Sequence, residues 1–226
     1  FDKKHLKEDI SDLTEKILKG LKGIKVERIH GSRDYFRVKV NESLFFEIIP
    51  VKKIKNQKEA ENITDLSYFH VNYIKKKLKG KILDEIRLVK AFCHANGCYG
   101  AESYIRGFSG YALELLIYSY GSFLKFISAM TKISDKKVID TEKQYKNKNI
   151  VLMDLNSAKL KSPVILIDPT HKQRNVLAAL SEETFKKFQK ACVDFLKNPE
   201  LGAFENKGVN FGKILEGYIK VPLNKQ

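Results

Sequence analysis

Apolar residues at Leu6, Ile10, Leu13, Ile17 and Leu21 step by four, three, four and four, which is one face of an amphipathic helix. Gly23 stands where a left-handed cap should close it. The period then shortens. Ile24, Val26 and the Tyr35–Val40 segment alternate, with His30-Gly31-Ser32 and Asn41-Glu42-Ser43 as turn chemistry between strands. Leu44 to Ile49 reads as a third strand, stopped by Pro50. Residues 1–50 thus predict a helix followed by a small sheet.

A lysine-rich connector, Lys52 to Asn62, leads into a run of helices. Asp65 or Ser67 is placed to cap a segment whose apolar face is Val71, Ile74 and Leu78. Ile82, Ile86, Val89 and Cys93 mark a second helix, ended by Asn96-Gly97. Ser109 precedes a third, carrying Leu113, Leu116, Ile117 and Tyr120, and Gly121-Ser122 begins a fourth. Beyond Ser134 the pattern is mixed. Val138-Ile139 and Ile150-Val151-Leu152 are short strand candidates separated by an exposed lysine- and asparagine-rich loop. Val164 to Ile167 is a strand of the buried type ending in Asp168-Pro169, and a helix runs from Glu182 to Leu196. No internal repeat is present. The pattern predicts an α+β chain in three parts: residues 1–62, a helical region 63–132, and a mixed α/β region 133–226.

Composition narrows the choice of partner. The 226 residues hold 42 Lys+Arg against 27 Asp+Glu, a net charge of +15, with 43% hydrophobic residues. Such a chain buries real cores and is no disordered basic tail. The charge points to a polyanion. No run of eighteen apolar residues and no leader pattern suggests a membrane or secretion. Three cysteines, Cys93, Cys98 and Cys192, argue against a disulfide framework and fit a reducing cytoplasm.

Candidate chemistry is sparse when taken residue by residue. Glu47 is the only charge in an apolar strand. Either it points to solvent or it is held at a sheet edge for a divalent cation. His70, Lys90 and Tyr99 lie at or near helix ends, where each alone reads as an ordinary surface or snorkelling residue. Arg106-Gly107-Phe108-Ser109-Gly110-Tyr111 is more specific. Glycines and a serine at a helix start leave N–H groups for an anion, beside an arginine fork. Asp168 to Asn175 reads as a turn bearing three basic side chains, solvated or contacting phosphate or base. Cys93, His94 and Cys98 fall short of a closed zinc set.

Six segments carry a resemblance. Leu83 to Phe92, Cys98 to Glu102 and Arg106 to Leu116 resemble the archaeal (class I) CCA-adding tRNA nucleotidyltransferases, as do Val164 to Pro169, Arg174-Asn175-Val176 and Ala178 to Ser181. The resemblance runs, with gaps, from about Phe45 to Pro199, and is weak over residues 1–43. It implies a partial polymerase-β-type head over 1–62, a helical neck over 63–132 and a body over 133–226 with a truncated tail. It further implies addition of CCA to the tRNA 3′ end and acceptor arm from CTP and ATP, with two Mg²⁺ ions.

By that resemblance Glu47 is the metal-binding and catalytic carboxylate, where the family carries Asp. Ser67 and His70 then contact the incoming nucleotide, Lys90 and Tyr99 hold its triphosphate, Arg174 reads the incoming base together with the RNA backbone, and Arg106 and Ser109 grip the RNA. The family's Gly-Ser motif and first two metal-binding aspartates have no counterpart here; they are expected just before Phe1. The chain alone is therefore expected to be inactive, either a fragment or one half of an enzyme completed by a separate head-domain chain. A homodimer is a further expectation from the family. The alternative is a non-catalytic tRNA- or RNA-binding protein that keeps neck and body.

Overall fold

The computed structural model describes residues 1–2 and 8–205, which divide into two compact units, Phe1–Lys75 and Lys76 onward. Leu6 and the last twenty-one residues lie outside the described set.

In the first unit, helix α1 (Ile10–Lys19) is capped by Asp9, whose side chain accepts from the N–H groups of Ser11 and Asp12. It ends at Gly20, earlier than the apolar spacing through Leu21 suggested, and Gly23 takes its positive φ of 79° in the turn beyond. Strands β1 (Lys25–Ile29), β2 (Tyr35–Lys39) and β3 (Phe45–Ile48) form an antiparallel sheet in that order. Alternation puts Phe36 and Val38 on the covered face, where they pack with Leu18 of α1, Ile24, Val26 and Ile48.

After the sheet, Asn62 caps a short 3-10 turn, Ile63–Leu66, and Asp65 returns the bond to the Asn62 N–H. Asp65 thus closes a capping box as the reciprocal partner rather than as the cap itself. The same buried carboxylate takes a two-pronged pair from Arg33 and the Lys52 N–H at 2.9 Å. Burial opposes its charge, but the Lys52 N–H and the Arg33 guanidinium prevail and hold it below the ordinary carboxylate range. Helix α2 (Ser67–Lys77) follows.

The second unit is built on helices α3 (Ile82–Ala95), α4 (Gly110–Tyr120), α5 (Phe123–Met130) and α7 (Glu182–Lys197). Ser109 and Ser122 are the N-caps that the sequence offered, Gly121 ends α4 with φ 82°, and Ser181 caps α7. Phe92 sits fully buried at the centre, edge-on to Phe123, Phe188, Phe195 and Phe204. Rings so arranged contribute roughly 0.5–1.5 kcal/mol per pair beyond their burial.

Beside them, β4 (Lys137–Ile139), β5 (Val164–Asp168) and β6 (His171–Asn175) form a three-stranded sheet with β5 central and fully buried. Two expectations fail here. Ile150-Val151-Leu152 lies in helix α6 (Lys148–Asp154), not in a strand. Asn147 caps it, and Val151 and Leu155, one turn apart, pack on Ile165 and Ile167. An apolar pair four residues apart satisfies both periods, and the cap decides between them. Residues after Asp168 are not simply a turn: the chain reverses at once and returns as strand β6, antiparallel to β5. Its polar sequence reflects a strand with one exposed flank. Among the described residues no helix is long and apolar enough to cross a membrane.

Candidate nucleotide and RNA site

The second unit gathers its chemistry at the start of α4. The segment before it is tightly folded. Phe108 N–H donates to the Cys98 carbonyl and Gly100 N–H to the Phe108 carbonyl, both at 2.8 Å, which lays Tyr99 alongside Phe108. A Cβ on Gly107 would stand 2.1 Å from the Cys98 carbonyl oxygen, so only glycine permits this approach. The Gly107 N–H is consequently not left for an anion, because it donates to the Gly100 carbonyl at 2.7 Å. Arg106 adopts φ 51°, with its side chain exposed and its carbonyl accepting from Ser181 N–H. Its left-handed backbone turns the chain so that Gly107 can dive under Cys98. Ser109 Oγ accepts from the Ala112 N–H, which commits that hydroxyl oxygen to the helix cap.

Lys90, on the last turns of α3, and Tyr99 both arrive over this helix start. A Cβ on Gly110 would meet Tyr99 Oη at 2.9 Å and Lys90 Nζ at 3.7 Å. An ammonium, a phenol and the positive end of a helix dipole therefore converge on one spot. In this structure Lys90 Nζ is held by Glu114 at 2.6 Å, one turn along α4. His94 stacks on Tyr99 with ring centroids 3.9 Å apart and planes at 22°.

The hairpin of β5 and β6 joins the same cluster. Tyr111, next to Gly110, donates its hydroxyl to Asp168 Oδ1 at 3.1 Å. Arg174 donates to Asp168 Oδ2 at 2.7 Å, and its guanidinium lies 5.9 Å from the Tyr111 ring centre. Thr170 gives the same carboxylate its N–H and its hydroxyl, each at 2.8 Å. Burial and the Asp168 charge push the Tyr111 phenol far above its ordinary range, so it stays a donor. Arg174 is thereby fixed in direction with part of its fork still reachable by solvent.

The first unit holds Glu47, Ser67 and His70. Glu47 is exposed on β3, facing Arg37 across the strand pair at 3.4 Å. Ser67 opens α2 exposed to solvent, and His70 is half-buried one turn later. A magnesium ion wants about six oxygen ligands in a strict geometry. Glu47 alone does not fit that demand, and among the described residues no group of three His, Cys, Asp or Glu side chains could hold a metal. Cys93, Cys98 and Cys192 are buried thiols, with Cys98 pushed up to about 11 by burial, while His94 is engaged with Tyr99.

Glu114, Asp168, Tyr111 and His94 were not singled out from sequence for these roles. The spacing of Gly110 and Glu114, one helical turn, was the only available sign.

The fold has solved counterparts. Two solved structures, a cytoplasmic RNA terminal U-transferase and a poly(U) polymerase with magnesium and 3′-dATP bound, match at TM-scores of 0.61 and 0.63. They cover 87% and 89% of this chain and 76% and 78% of theirs, each at 11% identity. The chain thus shares the fold of these two structures over most of its length. Residues 84–205, more than half of the chain, match the family described as tRNA nucleotidyltransferase, second domain. The chain belongs to that family. The CCA-adding enzyme of Nanoarchaeum equitans is 40% identical over 185 residues, 82% of this chain and 46% of its own length. That of Archaeoglobus fulgidus is 36% identical over 161 residues, 71% of this chain and 34% of its own. The chain spans less than half the length of these relatives.

Proposed function

We propose that the chain supplies the triphosphate-holding and RNA-holding part of an enzyme that adds CCA to the 3′ end of tRNA from CTP and ATP. The observation that carries this reading is the convergence of Lys90 and Tyr99 on Gly110, at the N-terminus of α4. A triphosphate there would take charge-assisted bonds from Lys90, a hydroxyl from Tyr99 and the field of the helix. For Lys90 to engage it, the Glu114 contact must loosen. Arg174, aimed by Asp168, is a planar donor suited to a base edge or a backbone phosphate. The resemblance also gives Ser67 and His70 a nucleotide contact, and Arg106 and Ser109 a contact with the tRNA end.

Among the described residues Glu47 is the carboxylate this reading gives to a Mg²⁺ centre, with further carboxylates supplied by a separate head-domain segment. The division into head remnant 1–62, neck 63–132 and body 133–226, the cytoplasmic setting and a homodimeric state belong to the same reading. In the isolated chain no nucleotidyl transfer is expected. A second reading, a non-catalytic tRNA-binding protein, is favoured by the same lone carboxylate.

Titration calorimetry with ATP and CTP tests the first reading. Lys90→Ala should weaken binding about tenfold, equivalent to about 1.4 kcal/mol. Unchanged affinity would remove Lys90 from the site. Incorporation of CMP or AMP into truncated tRNA by the isolated chain would overturn the expected inactivity. Arg106→Ala should weaken tRNA binding in either reading. Glu47→Ala separates them, since only an enzyme reconstituted with its head loses transfer.

A further inference from the structure

In the second unit a groove of about 730 Å³ lies between α5 and the segment that leads into β4. Lys125, Lys132, Lys136 and Lys137 line it against a single acid, Asp135. Tyr120, Leu124, Ala129 and Ile133 supply its apolar floor, and Leu124 is 56% exposed there. The groove is separate from the cluster at Gly110. Helix α4 has 11 residues, so Gly110 at its start and Tyr120 at its end stand about 15 Å apart.

One wall of the groove is fixed from behind. Gln189 of α7 donates to the carbonyls of Met130 and Ile133 at 2.8 and 2.9 Å. Lys137 N–H donates to the Pro163 carbonyl at 3.1 Å, and Lys148 Nζ to the Lys136 carbonyl at 2.8 Å. Residues 131–136 are therefore held in place although they belong to no helix or strand. A wall already ordered costs a ligand little on binding.

The charges on that wall serve no contact within the chain. Lys136 Nζ donates to the Leu160 carbonyl. Lys125, Lys132 and Lys137 make no side-chain hydrogen bond or ion pair among the described residues. Asp135 accepts from the Ser134 hydroxyl at 3.4 Å and pairs with none of them. Lys132 follows the C-terminal end of α5, where the helix dipole favours a cation. Lys125 has no such support. It is the third residue of α5, in a first turn that holds no acid, and there the dipole works against it.

We propose that this groove holds an unpaired RNA strand, its phosphates on Lys125, Lys132 and Lys137 and a sugar or base against Leu124 and Tyr120. Uncompensated cations in a row select a polyanion, and the floor selects further. A duplex turns its bases inward and meets only the lysines. An unpaired strand also offers a base face to an aromatic side chain. An acidic peptide would satisfy the lysines and leave Tyr120 without a stacking partner. This contact lies at the opposite end of α4 from the triphosphate cluster and is independent of Lys90 and Glu47, so it goes beyond the functional reading above.

Fluorescence anisotropy on the full chain tests it, with oligoadenylate, a blunt RNA duplex and polyglutamate as probes. Lys125→Gln, Lys132→Gln and Lys137→Gln together should weaken oligoadenylate binding at least tenfold at low salt. The slope of log affinity on log salt should flatten by about 2, at roughly 0.7 for each phosphate contact of a single strand. The duplex should lose far less. The three corresponding Lys→Arg substitutions should restore binding. All three lysines are exposed, so thermal unfolding should not move. Lys161→Gln, Lys190→Gln and Lys197→Gln together remove the same charge from exposed positions elsewhere in the unit and should cost less than half as much slope.

An equal loss in that control would make the effect one of net charge and overturn the groove. Equal losses on duplex and single strand would overturn an unpaired occupant. Polyglutamate bound more tightly than oligoadenylate would give the groove to an acidic protein instead. Lys90→Ala should leave oligoadenylate binding unchanged. If that variant also kept its ATP affinity, the functional reading would fall and the groove would stand, while an inert groove triple would do the reverse.

Discussion

Two hairpins of this chain carry the same pair of charges in opposite circumstances. In the first unit Arg37 faces Glu47 across β2 and β3 at 3.4 Å, with the two side chains 41% and 55% exposed. In the second unit Arg174 meets Asp168 across β5 and β6 at 2.7 Å, with the carboxylate fully buried. Asp168 has further donors in Thr170 and Tyr111, and no oxygen of it is available to a ligand. Its work is to aim Arg174. The Glu47 pair is long, solvated and worth little to the fold. That weakness leaves Glu47 free to take another partner. A carboxylate that positions is buried and saturated; one that binds is exposed and loosely held.

The largest effect is expected at the buried pair. Asp168→Ala removes the buried carboxylate shared by Arg174, Tyr111 and Thr170 and should cost about 3–5 kcal/mol, read as a fall in the denaturation midpoint. A loss below about 1 kcal/mol would erase the contrast with Glu47. Next comes Gly107→Ala, whose methyl would stand 2.1 Å from the Cys98 carbonyl. Overpacking of this kind should cost about 1–3 kcal/mol and weaken triphosphate binding through displacement of Tyr99.

The first unit has its own buried carboxylate in Asp65, held below its ordinary value of 3.8. The folded state binds that proton less readily than the unfolded chain does. Its stabilisation is therefore complete above the ordinary value and drains away as pH falls through the depressed one. Acid unfolding followed at β1–β3 should shift to lower pH in wild type relative to Asp65→Asn, and coincident curves would contradict the assignment. Smallest of all, Glu47→Ala should change stability by less than about 1 kcal/mol and leave RNA affinity equal or higher. A larger loss in thermal unfolding would make Glu47 structural.

Much of this was legible in advance. The serine caps at 109 and 122, the buried β5 and the three-strand sheet of the first unit follow from local chemistry, and local chemistry is what a sequence states directly. Where two periods coincide, as at Ile150-Val151-Leu152, the cap at Asn147 and the packing on β5 decided for helix. The polar strand β6 was hidden because its exposed flank has no apolar alternation to read. Lys90, Tyr99 and Arg174 came from resemblance, not from any pattern of their own.

The sequence by itself determined the caps, the apolar faces, the surplus of positive charge and the family. All are properties of residues near one another along the chain, or of the chain as a sum. Only the tertiary structure decided that Lys90 and Tyr99 meet over Gly110, that Asp168 is consumed in aiming Arg174, and that Gln189 of α7 holds the wall of the lysine groove. Those facts depend on distance and burial between residues remote in sequence, and burial sets whether a charge is a scaffold or a hand held out to a ligand.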